Sequence, residues 1–195
     1  MKWITIIICL LLNAASPALC GQVGTIDLCK DNPKTIIGAR SNNFRIFGFR
    51  LGITHDEAWQ ILKKTDMLIG EKDSYNPYRI YVYRKNSLGN KGEAILYLIW
   101  EPGERELSEI TIFQGCRTAL SQNFRRLMTF EALDNNSEFK KTFIGYANSS
   151  NTTLDEPTVG LKYITFFYDD IGLEITHKLN YGSNEVIFAI VKLKH

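Results

Sequence analysis

Hydrophobic and polar residues alternate along several short stretches of the chain, as they do in strands that are buried on one face. Residues 78–84 (YRIYVYR) are the clearest example, because Arg79, Tyr81 and Tyr83 fall on one face and the intervening residues on the other. Residues 93–100 are almost continuously apolar, which is typical of a strand covered on both sides. The predicted strands are residues 44–49, 78–84, 93–100, 107–113, 161–168, 171–179 and 185–194.

Two other stretches have the apolar spacing of a helix. In the first, the Thr54 hydroxyl and the Glu57 carboxylate have the spacing of a capping box, and the helix that they begin is predicted to end at Lys64. The second covers residues 117–133, and residues 145–158 after it are polar enough to predict a loop. The apolar stripes of the two helices are Ala58, Ile61 and Leu62, and Leu120, Phe124, Leu127 and Met128.

The order of these elements predicts an α+β fold. A strand, a helix and three strands are followed by a helix and three strands, which indicates antiparallel sheet with helices packed on one face. We expect two αβββ units in tandem, at residues 44–115 and 116–195, packed as one globular domain. An extended lead-in, residues 21–43, precedes them.

The first twenty residues have the form of a secretory signal peptide. Lys2 precedes a short apolar segment, and small residues stand before a cleavage point between Cys20 and Gly21. The residues before Cys20 do not follow the order of a bacterial lipoprotein signal, so lipidation of Cys20 is the weaker alternative. We expect an exported protein, periplasmic or secreted, and no later stretch is apolar for long enough to cross a bilayer.

Two cysteines, Cys29 and Cys116, remain after cleavage at this point. An even number of cysteines in an exported chain favours a disulfide bond between them. The alternative is a pair of buried free thiols that act as small hydrophobic residues.

The net charge of the chain is not that of a nucleic-acid-binding protein. The net charge is +2, and loss of the leader lowers it by one because Lys2 is the only charged residue there. This is far from the strongly basic balance of a nucleic-acid-binding protein. We therefore expect no nucleic-acid partner.

Catalytic, metal and cofactor motifs are not found in the sequence. The histidines, His55, His177 and His195, have no zinc-binding spacing, and no G-x-S-x-G or phosphate-binding glycine motif occurs. Asp169 and Asp170 form an acidic pair, but two acids between predicted strands are typical of a turn. We therefore predict no enzyme activity, no metal and no cofactor. Glycosylation sequons stand at Asn135, Asn148 and Asn151, and the sequence does not show whether they are used.

Aromatic residues give the strongest functional signal. Arg79, Tyr81 and Tyr83 would share one face of a strand, and Tyr and Arg are enriched at protein interfaces. The alternatives are that helices cover this face, or that the rings are cross-strand pairs that stabilise the sheet. The aromatic residues in and beside the two predicted strands are Tyr75, Tyr78, Tyr81, Tyr83, Tyr97 and Trp100.

Residues 48–54 (GFRLGIT), with Glu57 and Leu62 after them, resemble the strand-to-helix segment of small exported bacterial domains. Residues 107–112 are similar to the closing strand of the same domains. These are the outer-membrane assembly lipoproteins of the SmpA/OmlA type and the β-lactamase inhibitor proteins. The resemblance implies αβββ repeats and a protein-binding role without catalysis.

These observations favour an exported, non-catalytic protein-binding or inhibitor-like module of the bacterial cell envelope with an unknown protein partner. One alternative is a protein that binds or senses a small apolar or glycan ligand between sheet and helix. A second is a hydrolase without a recognisable motif.

Overall fold

The computed structural model describes residues 24–155, 161–180, 183 and 185–195. The predicted signal peptide, residues 1–20, lies outside these residues. The strands are β1 (Ile26–Asp27), β2 (Phe44–Arg45), β3 (Leu68–Lys72), β4 (Arg79–Lys85), β5 (Lys91–Ile99), β6 (Glu109–Phe113), β7 (Ser149–Asp155), β8 (Leu161–Tyr168), β9 (Leu173–Asn180) and β10 (Val186–Lys194). The helices are α1 (His55–Lys64), α2 (Gln122–Arg126), 3₁₀-helices at Ser41–Asn43, Gln114–Ala119 and Phe130–Ala132, and a π-helix at Lys140–Ile144.

Within the described residues, eight strands form one antiparallel sheet in the order β3-β4-β5-β6-β10-β9-β8-β7. Each half of the chain contributes four consecutive strands, and the halves meet where β6 pairs with β10, as in the pairing of Ile112 with Val191. The α+β class and the antiparallel sheet are confirmed. Each predicted αβββ unit has three strands after its helix, whereas each half of the chain contributes four strands to this sheet.

The two additional strands are β3 and β7, which lack an apolar alternation. Gly70 lies in the middle of β3, where a side chain would overlap the Leu62 methyl group and lie 3.0 Å from Trp59 Cζ3. β7 lies in the polar residues 145–158, for which a loop is predicted, and it pairs with β8 along its full length. At the edge of a sheet, backbone hydrogen bonds form a strand without a buried face, so the side-chain pattern does not show it.

Helix α1 begins where its capping box predicts. Glu57 N donates to Thr54 Oγ1 at 3.2 Å, and Glu57 Oε2 accepts from Thr54 N at 2.7 Å. Ala58 and Leu62 are the buried residues of this helix. Because Gly70 is paired with the buried Val82, the helix packs on the face of the sheet that forms the core.

The single helix predicted for residues 117–133 is wrong, although its apolar stripe is correct. The segment consists of a 3₁₀-helix, the short α2 and a second 3₁₀-helix. Ser121 interrupts it, because its amide donates to Leu28 O at 2.9 Å and its hydroxyl to Asp31 O at 2.6 Å. These long-range bonds hold the chain extended at a point where local propensity favours a helix, while the predicted stripe is still buried.

The strand predicted for residues 44–49 is shorter than expected. Only β2 is strand, parallel to β1, and the chain then reverses at Phe47 and Gly48. Both of these residues have positive φ, 52° and 91°, and Ile46 and Phe49 exchange two backbone hydrogen bonds of 2.9 Å. This is the geometry of a two-residue hairpin turn.

In the described residues, α1 and α2 pack on the face of the sheet that carries Val82, Ile112 and Val191, and the opposite face is here called the open face. Between helices and sheet lies a cavity of about 10 Å³, lined by Leu28, Ile36, Phe44, Ile112, Leu120, Phe124, Leu127, Leu173, Val191 and Leu193. This volume has room for at most one water molecule. This core cavity is therefore too small for a ligand.

Three polar side chains are buried on the core face of the second half. Among the described residues, neither ring nitrogen of His177 makes a hydrogen bond of good geometry. His177 lies on β9, where it is paired with Ile164 of β8 on one side and with Ala189 of β10 on the other. Lys140 Nζ donates to Asn135 Oδ1 at 2.7 Å and lies 3.6 Å from the centre of the Phe166 ring. The third is Tyr168, whose hydroxyl has no hydrogen-bond partner in the part of the chain that the structure describes.

Candidate functional site

Strands β4 and β5 bring the predicted site residues to the open face. Ile80 and Val82 are buried in the core. Arg79, Tyr81 and Tyr83 alternate with them along β4, so they point to the other face, where each is half-buried. The structure therefore places these three residues together, and the helices of the described residues do not cover them. Tyr97, on β5, stands directly opposite Tyr81.

Three rings form a contiguous aromatic surface, here called the tyrosine cluster (Tyr81, Tyr83 and Tyr97). The rings of Tyr81 and Tyr97 are stacked, with centroids 4.2 Å apart and an interplanar angle of 22°. The Tyr83 ring lies 6.2 Å from that of Tyr81. Stacking holds the rings in defined positions, so their cross-strand pairing stabilises the sheet and also orders its surface.

Arg79 and Asp73 fix one end of the tyrosine cluster. The Tyr97 hydroxyl donates to Asp73 Oδ2 at 2.5 Å and accepts from Arg79 Nη1 at 3.3 Å. Burial and the bond to Asp73 raise the pKa of Tyr97 far above its ordinary value. The Tyr97 hydroxyl and the Tyr75 amide, both bonded to the carboxylate, lower the pKa of Asp73. The phenol thus stays neutral while the carboxylate stays charged.

Lys91 and Glu71 lie at the Tyr83 side of the cluster. Lys91 Nζ is 4.3 Å from the centre of the Tyr83 ring and forms an ion pair with Glu71. The hydrogen bond from Lys91 to Glu71 raises the pKa of the lysine. The cluster is therefore an aromatic surface with an Arg/Asp pair at one end and a Lys/Glu pair at the other.

The loop between β3 and β4 extends the aromatic surface beyond the sheet. Tyr75 is 99% exposed and Tyr78 is also exposed. The loop is held by hydrogen bonds from the Tyr75 amide to Asp73 Oδ1 and from the Tyr78 amide to Asn76 Oδ1. Because Asp73 also accepts from Tyr97, one carboxylate connects the loop to the tyrosine cluster.

A network of four charges occupies the middle of the open face, and the sequence does not predict it. Glu174 accepts from Lys194 Nζ at 2.5 Å and lies 3.4 Å from Lys192 Nζ. Glu109 lies within 4.0 Å of both lysines. Burial raises the pKa of Glu174, but the lysine bonds and charges outweigh it, so the net shift is downward. The sequence shows that Lys192 and Lys194 lie on the same face of β10. It does not show the strand register that places Glu109 and Glu174 beside them.

The histidines and the acidic pair lie in different environments. His177 is in the core, whereas the His55 ring packs edge-on against Trp59 and Trp100. Asp169 and Asp170 lie in the turn after β8, where the Asp169 amide donates to Asn148 Oδ1. In the part of the chain that the structure describes, no three His, Cys, Asp or Glu side chains are grouped so as to hold a metal ion.

Cys29 and Cys116 are free thiols in the structure, Cys29 half-buried and Cys116 buried. Burial raises the pKa of both thiols, so both are protonated at neutral pH. The predicted disulfide bond stays a prediction. The three sequon asparagines, Asn135, Asn148 and Asn151, are exposed.

Comparison of the chain with protein-family models, curated proteins and solved structures finds no match. Among the helices of the described residues, none is both long enough and apolar enough to cross a membrane.

Proposed function

We propose that the chain is an exported, non-catalytic protein-binding or inhibitor-like module of the bacterial cell envelope, with the tyrosine cluster and Arg79 as its contact surface. One observation carries this proposal. Arg79, Tyr81 and Tyr83 lie side by side, half-buried, on the open face of the sheet, which the helices of the described residues leave uncovered. Tyr97 completes the surface through its stack with Tyr81.

The chemistry of this surface suits a protein partner. Tyrosine and arginine are the side chains that most often dominate the binding energy of protein interfaces. Ordering side chains on binding costs free energy, and here the stack and the bonds of Tyr97 to Asp73 and Arg79 have already ordered them. A partner therefore meets a preformed surface, with Tyr75 and Tyr78 exposed on the adjoining loop.

Export and the family resemblance support the same proposal. Residues 1–20 have the form of a cleavable leader, with cleavage near Cys20. The resemblance of residues 48–54 and 107–112 to assembly lipoproteins and β-lactamase inhibitor proteins implies binding without catalysis. We propose the periplasm or the outside of the cell as the location.

The experiment compares capture of partners from an envelope extract by residues 21–195 and by two variants. The test variant is Tyr81→Ala/Tyr83→Ala. The control is Tyr163→Ala, which removes a half-buried tyrosine from β8, a strand in the other half of the sheet. We expect recovery of a specific partner to fall at least tenfold with the test variant, and to be unchanged with the control.

Urea unfolding of all three proteins checks that the variants are folded. Arg79→Ala leaves all three rings in place. It should lower the affinity for the same partner when binding is measured with purified components. Equal recovery of that partner by wild type and by Tyr81→Ala/Tyr83→Ala would remove the tyrosine cluster from the contact surface.

A further inference from the structure

Strand β7 is an open edge of the sheet. In the described part of the chain it pairs on one side only, with β8, and the register is continuous from Ser149 to Asp155. The backbone groups that point away from β8 therefore have no strand opposite them. An exposed strand edge of this length is a template for a further strand.

The two edges of the sheet differ in how well they are protected. The opposite edge, β3, is shorter and carries two adjacent charges, of which Glu71 pairs with Lys91. Residues 149–153 of β7 (SSNTT) are uncharged and exposed, and they contain no proline. Natural edge strands are commonly blocked by charge, proline or a bulge, and β7 has none of these between residues 149 and 153.

A cleft of about 480 Å³ opens at the start of this strand. Its walls include Ile37 and Tyr146, which are 53% and 75% exposed, and the buried Ile171. Asn148, the residue before β7, also lines it, so the cleft and the edge are adjacent. The volume is in the range of ligand pockets, and the walls suit an apolar side chain.

Tyr168 forms part of the cleft wall, and its hydroxyl oxygen lies behind that wall, closed to solvent. Tyr168 is 2% exposed, and its hydroxyl makes no hydrogen bond within the described residues. Burial raises the pKa of Tyr168, so the hydroxyl is a neutral donor at all physiological pH values. An unsatisfied buried hydroxyl is unfavourable, so a movement of the Tyr168 ring that brings the hydroxyl to a carbonyl oxygen in the cleft would be favoured.

We propose that β7 and this cleft together bind an extended peptide segment of a partner protein. The segment adds a strand to the edge of β7, places an apolar side chain between Ile37 and Tyr146, and accepts a hydrogen bond from Tyr168 through a backbone carbonyl. Backbone pairing gives the affinity in this mode of recognition, and the side-chain pocket gives the specificity. The site goes beyond the function proposed above, because β7 and the tyrosine cluster lie in opposite halves of the sheet.

Fluorescein-labelled heptapeptides of sequence KTXTVTK, with X as Val, Leu, Ile or Phe, are suitable probes. Residues 21–195 should bind at least one of them saturably in a fluorescence anisotropy titration. The same peptide with alternate backbone amides N-methylated keeps its side chains but loses the donors for strand pairing, and it should bind at least tenfold more weakly. So should KTSTSTK, which has no apolar anchor. Absence of saturable binding by all four probes, or equal binding of the N-methylated peptide, overturns the proposal.

Two variants test the cleft. Tyr168→Phe removes only the unpartnered hydroxyl, so we expect an unchanged urea midpoint or a higher one, and about five- to tenfold weaker peptide binding. Ile37→Ser should weaken binding by a similar factor. The matched control, Met67→Ser, removes an exposed apolar side chain beside β3 and should bind as wild type does. Wild-type affinity in Tyr168→Phe and Ile37→Ser would show that the peptide does not reach the cleft.

Hydrogen exchange identifies the edge that is used. Amides of β7 should exchange more slowly when the peptide is bound, and those of β3 should be unchanged; the reverse result overturns the proposal. Tyr81→Ala/Tyr83→Ala should keep wild-type affinity for the peptide. The proposed peptide site and the proposed role of the tyrosine cluster can therefore be refuted independently of each other.

Discussion

His177 should make the stability of the protein fall as the pH is lowered from neutral to 5. The side chain is 0% exposed and lies on the core face of β9, and within the described residues neither ring nitrogen makes a hydrogen bond of good geometry. Burial lowers its pKa from 6.5 to about 4, because the charged imidazolium would lose its hydration, and the backbone of Leu127 opposes this shift only in part. In the unfolded chain the same ring is solvated and takes up a proton at an ordinary pKa.

The sign and the size follow from this difference in pKa. Between pH 6.5 and 4 the unfolded state binds a proton that the folded state does not, so acidification favours unfolding. Each unit of pKa difference corresponds to about 1.4 kcal/mol, which gives a loss of about 2 kcal/mol at pH 5 relative to neutral pH. The loss is about 3 kcal/mol at pH 4, and it levels off at about 3.4 kcal/mol below that pH, where the folded state also binds the proton.

Carboxylates contribute to the pH dependence mainly below this window. The pKa of Asp73 and that of Glu57 are lowered in the folded state by their hydrogen bonds. Such groups stabilise the fold above their unfolded pKa, and that stabilisation is lost as the pH falls through the folded value. The change in the free energy of unfolding between pH 6.5 and 5 therefore results mainly from the protonation of histidine.

The assay is urea unfolding, followed by tryptophan fluorescence at pH 7, 6 and 5, for wild type, His177→Leu and His55→Gln. Leucine cannot take up a proton, so His177→Leu should lose most of the pH dependence in this interval. His55 also has a pKa lowered by burial but is only partly buried, so His55→Gln should keep most of the wild-type slope. Parallel pH profiles of wild type and His177→Leu would refute the reasoning.

Three further predictions concern stability. Thr54→Ala removes the cap of α1 and should lower the free energy of unfolding by about 1 kcal/mol, measured in urea. Gly70→Ala places a methyl group into Leu62 and should destabilise by about 1–3 kcal/mol in the same assay, whereas the same change at the open Gly24 should have little effect. Lys140→Met replaces a buried ammonium, whose pKa is lowered first by burial, with an apolar chain of similar length. It should leave the melting temperature unchanged or raise it, and a large fall would show that the Asn135 bond outweighs the desolvation.

Features with local causes could be predicted from the sequence. The capping box of α1 depends on residues three apart, so Thr54 and Glu57 predict the start of the helix without knowledge of the rest of the fold. The same holds for the faces of β4, because neighbouring side chains of a strand must point in opposite directions. Arg79, Tyr81 and Tyr83 could therefore be assigned to one face from the alternation alone.

Features that depend on distant contacts could not be predicted. The break at Ser121 results from hydrogen bonds to Leu28 and Asp31, far away in the sequence. β7 is a strand because β8 is beside it, although SSNTT has the composition of a loop. The stack of Tyr97 on Tyr81 depends on the register between β4 and β5. The hydrophobic pattern does not determine which residues of the two strands stand opposite each other. Sequence composition indicates an aromatic surface, but not which rings touch.

The pairing of β6 with β10 has a consequence for the synthesis of the protein. β6 finds its second neighbour only after the ribosome has added all of β7, β8, β9 and β10. Until then the first half presents the sequence EITIF as an unpaired edge that can associate with strands of other nascent chains. A chain that ends before Val186 should therefore aggregate instead of forming half a sheet, and folding in the cell should depend on factors that shield this edge until translation or export is complete.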